Sequence, residues 1–259
     1  MEIEKEVENF KDVIRADYKK WLDEKPLMEK DIKVYVDALY QGYLDACRTF
    51  KWSSESKVKK CKNDVDKREK IKKICEGKEP SGCAYQIREY LTKDNSIDFN
   101  EKHVELCKSL HENFKKNGVM VSYGQAQKIV NMAFKYLYCC KLDDKMRERF
   151  KACHMPLDSF SLEWFKRCFK EEDFFDKDYF TKLPDKFFKK VDGEKLLLKA
   201  ESIGSWSSIK TLSENETEEM IRYPYEFYRD VIKKYCEEYN EKEVKREIYP
   251  LQLDFIVWP

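Results

Sequence analysis

The 259-residue sequence predicts an all-α fold, and three observations carry that prediction. Seven glycines and seven prolines are few breakers for a chain of this length. Charged residues make up 39% of it and fall in long runs with Leu and aromatics, a composition that favours helix over sheet. Apolar residues recur at spacings of three and four, the period of a helix that buries one face. The aromatic share, 14%, calls for a core or a cleft and excludes a disordered tail or a simple charged coiled coil. A chain of this length can bury one core or two small lobes sharing a cleft. The expectation is a single two-lobed helical domain over residues 1–259 with a central cleft.

In chain order, helices are expected at about 3–22, 28–50, 56–75, 83–92, 98–117, 122–140, 157–169, 213–221 and 224–240, each with an apolar stripe. Ser122 is a candidate N-cap for the sixth of these, and Pro156 a candidate first helical residue for the seventh. Residues 170–212 are less periodic and dense in Phe and Lys, which reads as loops or short helices covering one edge of a cleft. At the C-terminus Leu251, Leu253, Phe255 and Val257 alternate, the pattern of an extended tail or a short strand.

The first residues are acidic where a secretory signal would be basic and apolar, and no stretch approaches the length of a membrane span. A soluble cytoplasmic protein is expected, with its ten cysteines as reduced thiols. His103, Cys107 and His111 share one helical face, and Cys139, Cys140, Cys153 and His154 form a looser group. Neither has the paired C-x-x-C spacing of a zinc site, so no metal and no cofactor is expected. Net charge is +1, but residues 51–73 hold ten Lys or Arg against four acids. Such a segment can track a phosphate backbone through Lys51, Lys57, Lys59 and Lys60, with Trp52 as a stacking or wedging ring. It can also be a solvated helix face laced with i,i+4 pairs.

Two stretches carry candidate chemistry. In "SYGQAQKIVNMAFKYLYCC" Gly124 frees the backbone to turn and exposes the first helical amides, an anion site in miniature. Ala126, Ile129, Val130, Ala133 and Leu137 then face a core, while Lys128, Asn131 and Lys135 form a polar row on another face. The bland reading of that row is a solvated stripe. In "CHMPLDSFSLEWF" Asp158 falls in the positive field of a helix start.

Together these stretches resemble the helix-hairpin-helix DNA glycosylases related to endonuclease III, whose hairpin L-P-G-V-G-x-K-T-A precedes an element V-D-T-H-V. "YGQAQKIVN" lies over the hairpin, with Gly124 on its first glycine, Lys128 on the nucleophilic lysine and Asn131 on the asparagine. "PLDSFSL" lies over the second element and puts Asp158 on the catalytic acid. The same stretches are similar to a group of bacterial proteins of uncharacterised role with "G-x-A-Q-K…N…K-Y-L" followed by "H-x-P-x-D". The chain departs from the family in Ala126 for the second glycine, in Ser122-Tyr123 for Leu-Pro, and in the longer step from Lys128 to Asp158. The cysteine cluster that holds iron–sulfur in some members is absent.

The resemblance implies excision of a damaged or modified base from double-stranded DNA after base flipping, in repair or in phage defence. Asp158 would stabilise the sugar cation and Lys128 could attack the sugar carbon. Gln125, Asn131, His154 and Trp206 would line the base pocket, and Ser122 and Gly124 would grip a phosphate. Two other readings stand beside it. Arg149 and His154 satisfy the R-x4-H pattern of HEPN-type ribonucleases, and every motif named also suits a non-catalytic helical module that binds DNA or protein.

Overall fold

The computed structural model describes residues 3–22, 25–93, 97–170, 189–191, 194–196, 203–211, 223–242 and 247–258. Among them are eleven helices: α1 (Ile3–Val13), α2 (Ala16–Lys19), α3 (Ile32–Ala46), α4 (Asp64–Glu76), α5 (Cys83–Thr92), α6 (Phe99–Lys116), α7 (Tyr123–Tyr138), α8 (Asp144–Lys151), α9 (Ser159–Lys170), α10 (Tyr225–Lys242) and α11 (Pro250–Val257). Among the described residues strand pairing is confined to two small antiparallel ladders, β1 (Lys51–Trp52) with β2 (Val119–Met120) and β3 (Lys189–Val191) with β4 (Glu194–Leu196). The fold is all-α, as the composition predicts.

The centre of the molecule is α7, in which every residue from Gly124 to Leu137 is buried. A helix covered on all sides must satisfy each of its polar side chains internally, and that demand shapes everything around it. Helix α3 crosses it closely: a Cβ at Gly42 would meet the Ile129 carbonyl oxygen at 2.4 Å, so only glycine permits the approach. Helix α6 packs on another side of α7, and the buried apolar residues form one connected cluster from Ile3 to Phe255.

Helices α5, α6 and α7 lie where the periodicity puts them, and Ser122 caps α7 in a capping box with Gln125. Four expectations need correction. The helix expected at 3–22 breaks at Arg15, which is extended (φ −59°, ψ 140°), so that its guanidinium reaches Gln41, Asp45 and Tyr136. The helix expected at 56–75 starts only at Asp64 under an Asn63 cap, because residues 53–62 form turns that follow the β1–β2 pairing. Pro156 is not a first helical residue: 153–157 is not helical, α9 starts at Ser159, and α8 precedes it unforeseen. The C-terminus is a helix, α11, with Pro250 in its first turn; it is mostly apolar and packed against α1, α8, α9 and α10, so its alternation was an accident of composition. The helix expected at 213–221 lies outside the described residues, as does most of 170–212.

Candidate active site

The polar row of α7 is not a solvated stripe. Lys128, Asn131 and Lys135 are 8%, 0% and 0% exposed. Lys128 Nζ lies 3.3 Å from Asp158 Oδ2 and 4.6 Å from the centre of the Trp206 ring. Asp158 is the N-cap of α9: its Oδ1 accepts from the amides of Phe160 (2.9 Å) and Ser161 (3.1 Å), which leaves Oδ2 for the lysine. Its own amide donates to Ser161 Oγ. The residue before it is fixed by the residue before Lys128. Gln127 Oε1 accepts from the Leu157 amide and Gln127 Nε2 donates to the Leu157 carbonyl, at 3.2 and 2.9 Å. Neighbours 127 and 128 on one element thus hold neighbours 157 and 158 on the other.

A second pair lies two helical turns along α7. Lys135 Nζ is 2.7 Å from Asp254 Oδ2 of α11, and the rings of Phe10, Phe255 and Trp258 surround the ammonium at 4.3 to 5.1 Å. Burial raises the affinity of Asp254 for a proton, Lys135 opposes that, and the charge of Asp158 is near enough to add to it. The two pairs are therefore one electrostatic unit.

A cleft of about 520 Å³ opens onto the first pair. Phe10, Met132, Tyr136, Trp206 and Trp258 supply apolar wall, and Val13 and Phe160, 59% and 46% exposed, stand with it. Arg15, Asp45, Arg48, Lys128 and Asp158 supply the charges. Arg15 Nη2 meets Asp45 Oδ1 at 2.7 Å, and the Tyr136 hydroxyl donates to Asp45 Oδ2. This chemistry suits a flat apolar ligand that carries charge.

Other predicted site residues are placed differently. The first amides of α7 are not an anion site: the Gly124 amide donates to the Ile209 carbonyl, and the Gln125 amide to Ser122 Oγ. Ser122 Oγ also donates to the Ser207 carbonyl. Glycine is required at 124 because a Cβ would sit 2.1 Å from the Trp206 carbonyl oxygen, so its freedom serves the docking of 206–209 and not a phosphate. Gln125 does not line the cleft; it spends its amide on the Ser122 backbone and on Thr49.

His154 and Asn131 belong to a separate buried polar chain beside a second cavity of about 430 Å³. Asn131 Nδ2 donates to Gln127 Oε1 and to the Tyr225 hydroxyl. The Asn100 amide is oriented by its Nδ2 bonds to Asp98, so Asn100 Oδ1 accepts from His154 Nε2, and His154 Nδ1 accepts from Tyr225. Burial drives the pKa of His154 well below the usual histidine value and, with the charge of Arg229, that of His103 down to about 3. Arg149 is turned away, its guanidinium on the Lys93 carbonyl and over the Tyr90 ring.

Lys51 and Trp52 form β1, and Lys57, Lys59 and Lys60 are exposed on the turns after it. His103 touches Cys107 Sγ, while His111 Nδ1 donates to the Val121 carbonyl. Among the described residues no three His, Cys, Asp or Glu side chains converge as metal ligands, and no helix is long and apolar enough to cross a membrane.

Sequence reasoning missed Arg15, Asp45, Arg48, Asp254 and Trp258. Asp254 and Trp258 left one usable signal: they are four apart, the spacing of one helical face, in a segment opened by proline. Comparison with protein-family models, with curated proteins and with solved structures finds no match.

Proposed function

We propose that the chain is a DNA glycosylase that accepts a flipped nucleotide in the cleft and cuts its N-glycosidic bond with Asp158 and Lys128. The observation that carries this reading is the 3.3 Å approach of Lys128 to Asp158 on the cleft wall, from segments thirty residues apart in sequence. The walls offer rings for a base to lie against. The basic segment supports it too: Arg48 and Thr49 line the cleft, and the chain runs on directly into Lys51 and the exposed lysines.

In the reaction the bond between the sugar C1′ and the base nitrogen breaks, with its electron pair leaving on the base. Positive charge builds on the sugar. Asp158, held by two amides, faces that charge without having to reorganise. Along the water route Asp158 takes a proton as the water oxygen closes on C1′. Along the lysine route Lys128 passes a proton to Asp158, its nitrogen bonds to C1′, and opening of the sugar ring gives a Schiff base.

The test is base release from duplexes that each carry one oxidised, alkylated or deaminated base. Asp158→Asn should lower the rate by about 10²–10³-fold, the effect of removing one preorganised group. Lys128→Ala should abolish borohydride trapping on the lysine route and leave release largely intact on the water route. Full activity in Asp158→Asn would sink the assignment. The ribonuclease reading makes His154→Ala the fatal change, and no contact between Arg149 and His154 favours it.

A further inference from the structure

We infer that Arg48 is the phosphate clamp of this cleft, taking one phosphodiester of the nucleotide whose base the cleft receives. The inference rests on the glycosylase reading and adds a binding residue to it. Among the described residues the cleft holds three cations, Arg15, Arg48 and Lys128, and two acids, Asp45 and Asp158. Arg15 is committed to Asp45, and also donates to Gln41 and Tyr136. Lys128 is committed to Asp158. The acids are thereby matched, and Arg48 is the surplus charge. Its side chain is exposed and forms no hydrogen bond or ion pair with any described residue.

A free arginine on a loose loop would mean little, but Arg48 is carried on a tied turn. Residues Cys47–Thr49 form a single 3-10 turn that continues α3. Thr49 Oγ1 donates to the Ala46 carbonyl, and both Thr49 Oγ1 and its carbonyl accept from Gln125 Nε2 at 2.8 Å. Gln125 in turn belongs to the capping box of α7, the helix that bears Lys128. The backbone under Arg48 is thus locked to the catalytic helix while its guanidinium stays free. That pairing of fixed base and free fork is what a phosphate contact needs. A net charge of +1 above aromatic walls fits an anion of one charge joined to a flat ring, which is one nucleotide unit. A diester within a DNA strand has that single charge, whereas a free mononucleotide joins the same ring to a phosphate of nearly two charges.

The experiment measures anisotropy of a duplex carrying a single tetrahydrofuran abasic-site analogue, across a potassium chloride series, with deoxyadenosine monophosphate as a separate ligand. Arg48→Ala should weaken duplex binding about tenfold at low salt and lower the log–log salt slope by about 0.9, the release of one counterion. Arg48→Lys should keep the slope. Because Arg48 is exposed, circular dichroism of the variants should match the wild type. Duplex binding with an unchanged slope in Arg48→Ala overturns the clamp and leaves the glycosylase reading intact. If the wild type ignores the duplex but binds the mononucleotide through Arg48, Arg48 serves a free nucleotide, and both the diester clamp and the glycosylase reading fall. If it binds neither, both fall.

Discussion

Helix α7 holds two lysine–aspartate pairs seven residues apart, made of the same groups and similarly buried, yet only one of them touches the cleft. Lys128 and Asp158 line it; Lys135 and Asp254 do not. Their supports differ as well. Asp158 spends one oxygen on two amides and keeps the other for Lys128, whereas Asp254 has Lys135 as its hydrogen-bond partner. Lys128 lies under one ring and Lys135 among three. A buried ion pair recovers its desolvation cost only with excellent geometry, so two of them in one helix are a weak way to gain stability. The proposed chemistry would give the open pair a use that explains its cost; the closed pair lies behind it and ties the last helix of the described chain to the centre.

That contrast breaks most sharply under substitution. Asp254→Ala would leave Lys135 charged and enclosed, and should cost about 3–5 kcal/mol of folding stability. Asp158→Ala loses a helix cap and frees a lysine that already reaches the cleft, and should cost about 1–2 kcal/mol. Urea unfolding of both proteins measures the difference. The double replacement Lys135→Met with Asp254→Leu should restore or exceed wild-type stability, since apolar groups of similar size remove both charges at once. Equal losses in the two alanine variants would mean that the pairs are not different in kind.

The same pairs show how far sequence could be read. Helices α5 to α7 were legible because caps and a single period agree locally; Ser122, Gln125 and the apolar run of α7 all mark one start. That Lys128 and Asp158 belong together was legible, since a glycine-opened helix and a helix-start acid are local patterns. The burial of Lys135 was not: a polar residue every third or fourth place looks like a wet face unless its acid is known, and Asp254 lies 119 residues further on. Asp254 itself sits in an apolar run that reads as strand or helix with equal ease. The break at Arg15 follows from partners on α3 and α7, which no window around residue 15 contains.

The buried histidines beside Asn131 offer a second contrast, between charged pairs and neutral rings. His103 and His154 stay unprotonated in the fold, with His103 pushed down to about 3. In the unfolded chain both take a proton near the ordinary value of 6.5. The unfolded state therefore binds more protons below that pH, and stability falls as pH drops from 6.5 towards 3. His103 should contribute a slope approaching about 1.4 kcal/mol per pH unit over that window, and His154 adds to it in the same sense. Asp254 acts in the other sense: its raised pKa makes the fold take a proton first, which adds stability as pH falls from that raised value to the ordinary 3.8. Unfolding free energies measured from about pH 7.5 to about pH 4.5 test this. His154→Gln should remove one histidine's share of the slope, and a flat profile would show that these imidazoles charge without cost.

The smallest expected effect concerns the single ring over the open pair. Trp206 lies 4.6 Å from Lys128 Nζ and is half-buried, packed against the edge of the core, so it restrains the lysine and covers apolar neighbours as well. A cation over an indole face gains roughly 0.5–2 kcal/mol, and leucine in its place keeps the apolar cover but has no quadrupole. Trp206→Leu should therefore slow the proposed Lys128-dependent step about threefold to tenfold, the rate equivalent of roughly 1 kcal/mol. Unfolding stability should fall by about 1 kcal/mol, since leucine fills only part of the space of a half-buried indole packed on the core. Trp206→Phe, with a weaker quadrupole, should fall between leucine and the wild type. If leucine and phenylalanine behave alike, the ring acts through its bulk alone, and the open pair is held by Asp158 and Gln127 without aromatic help.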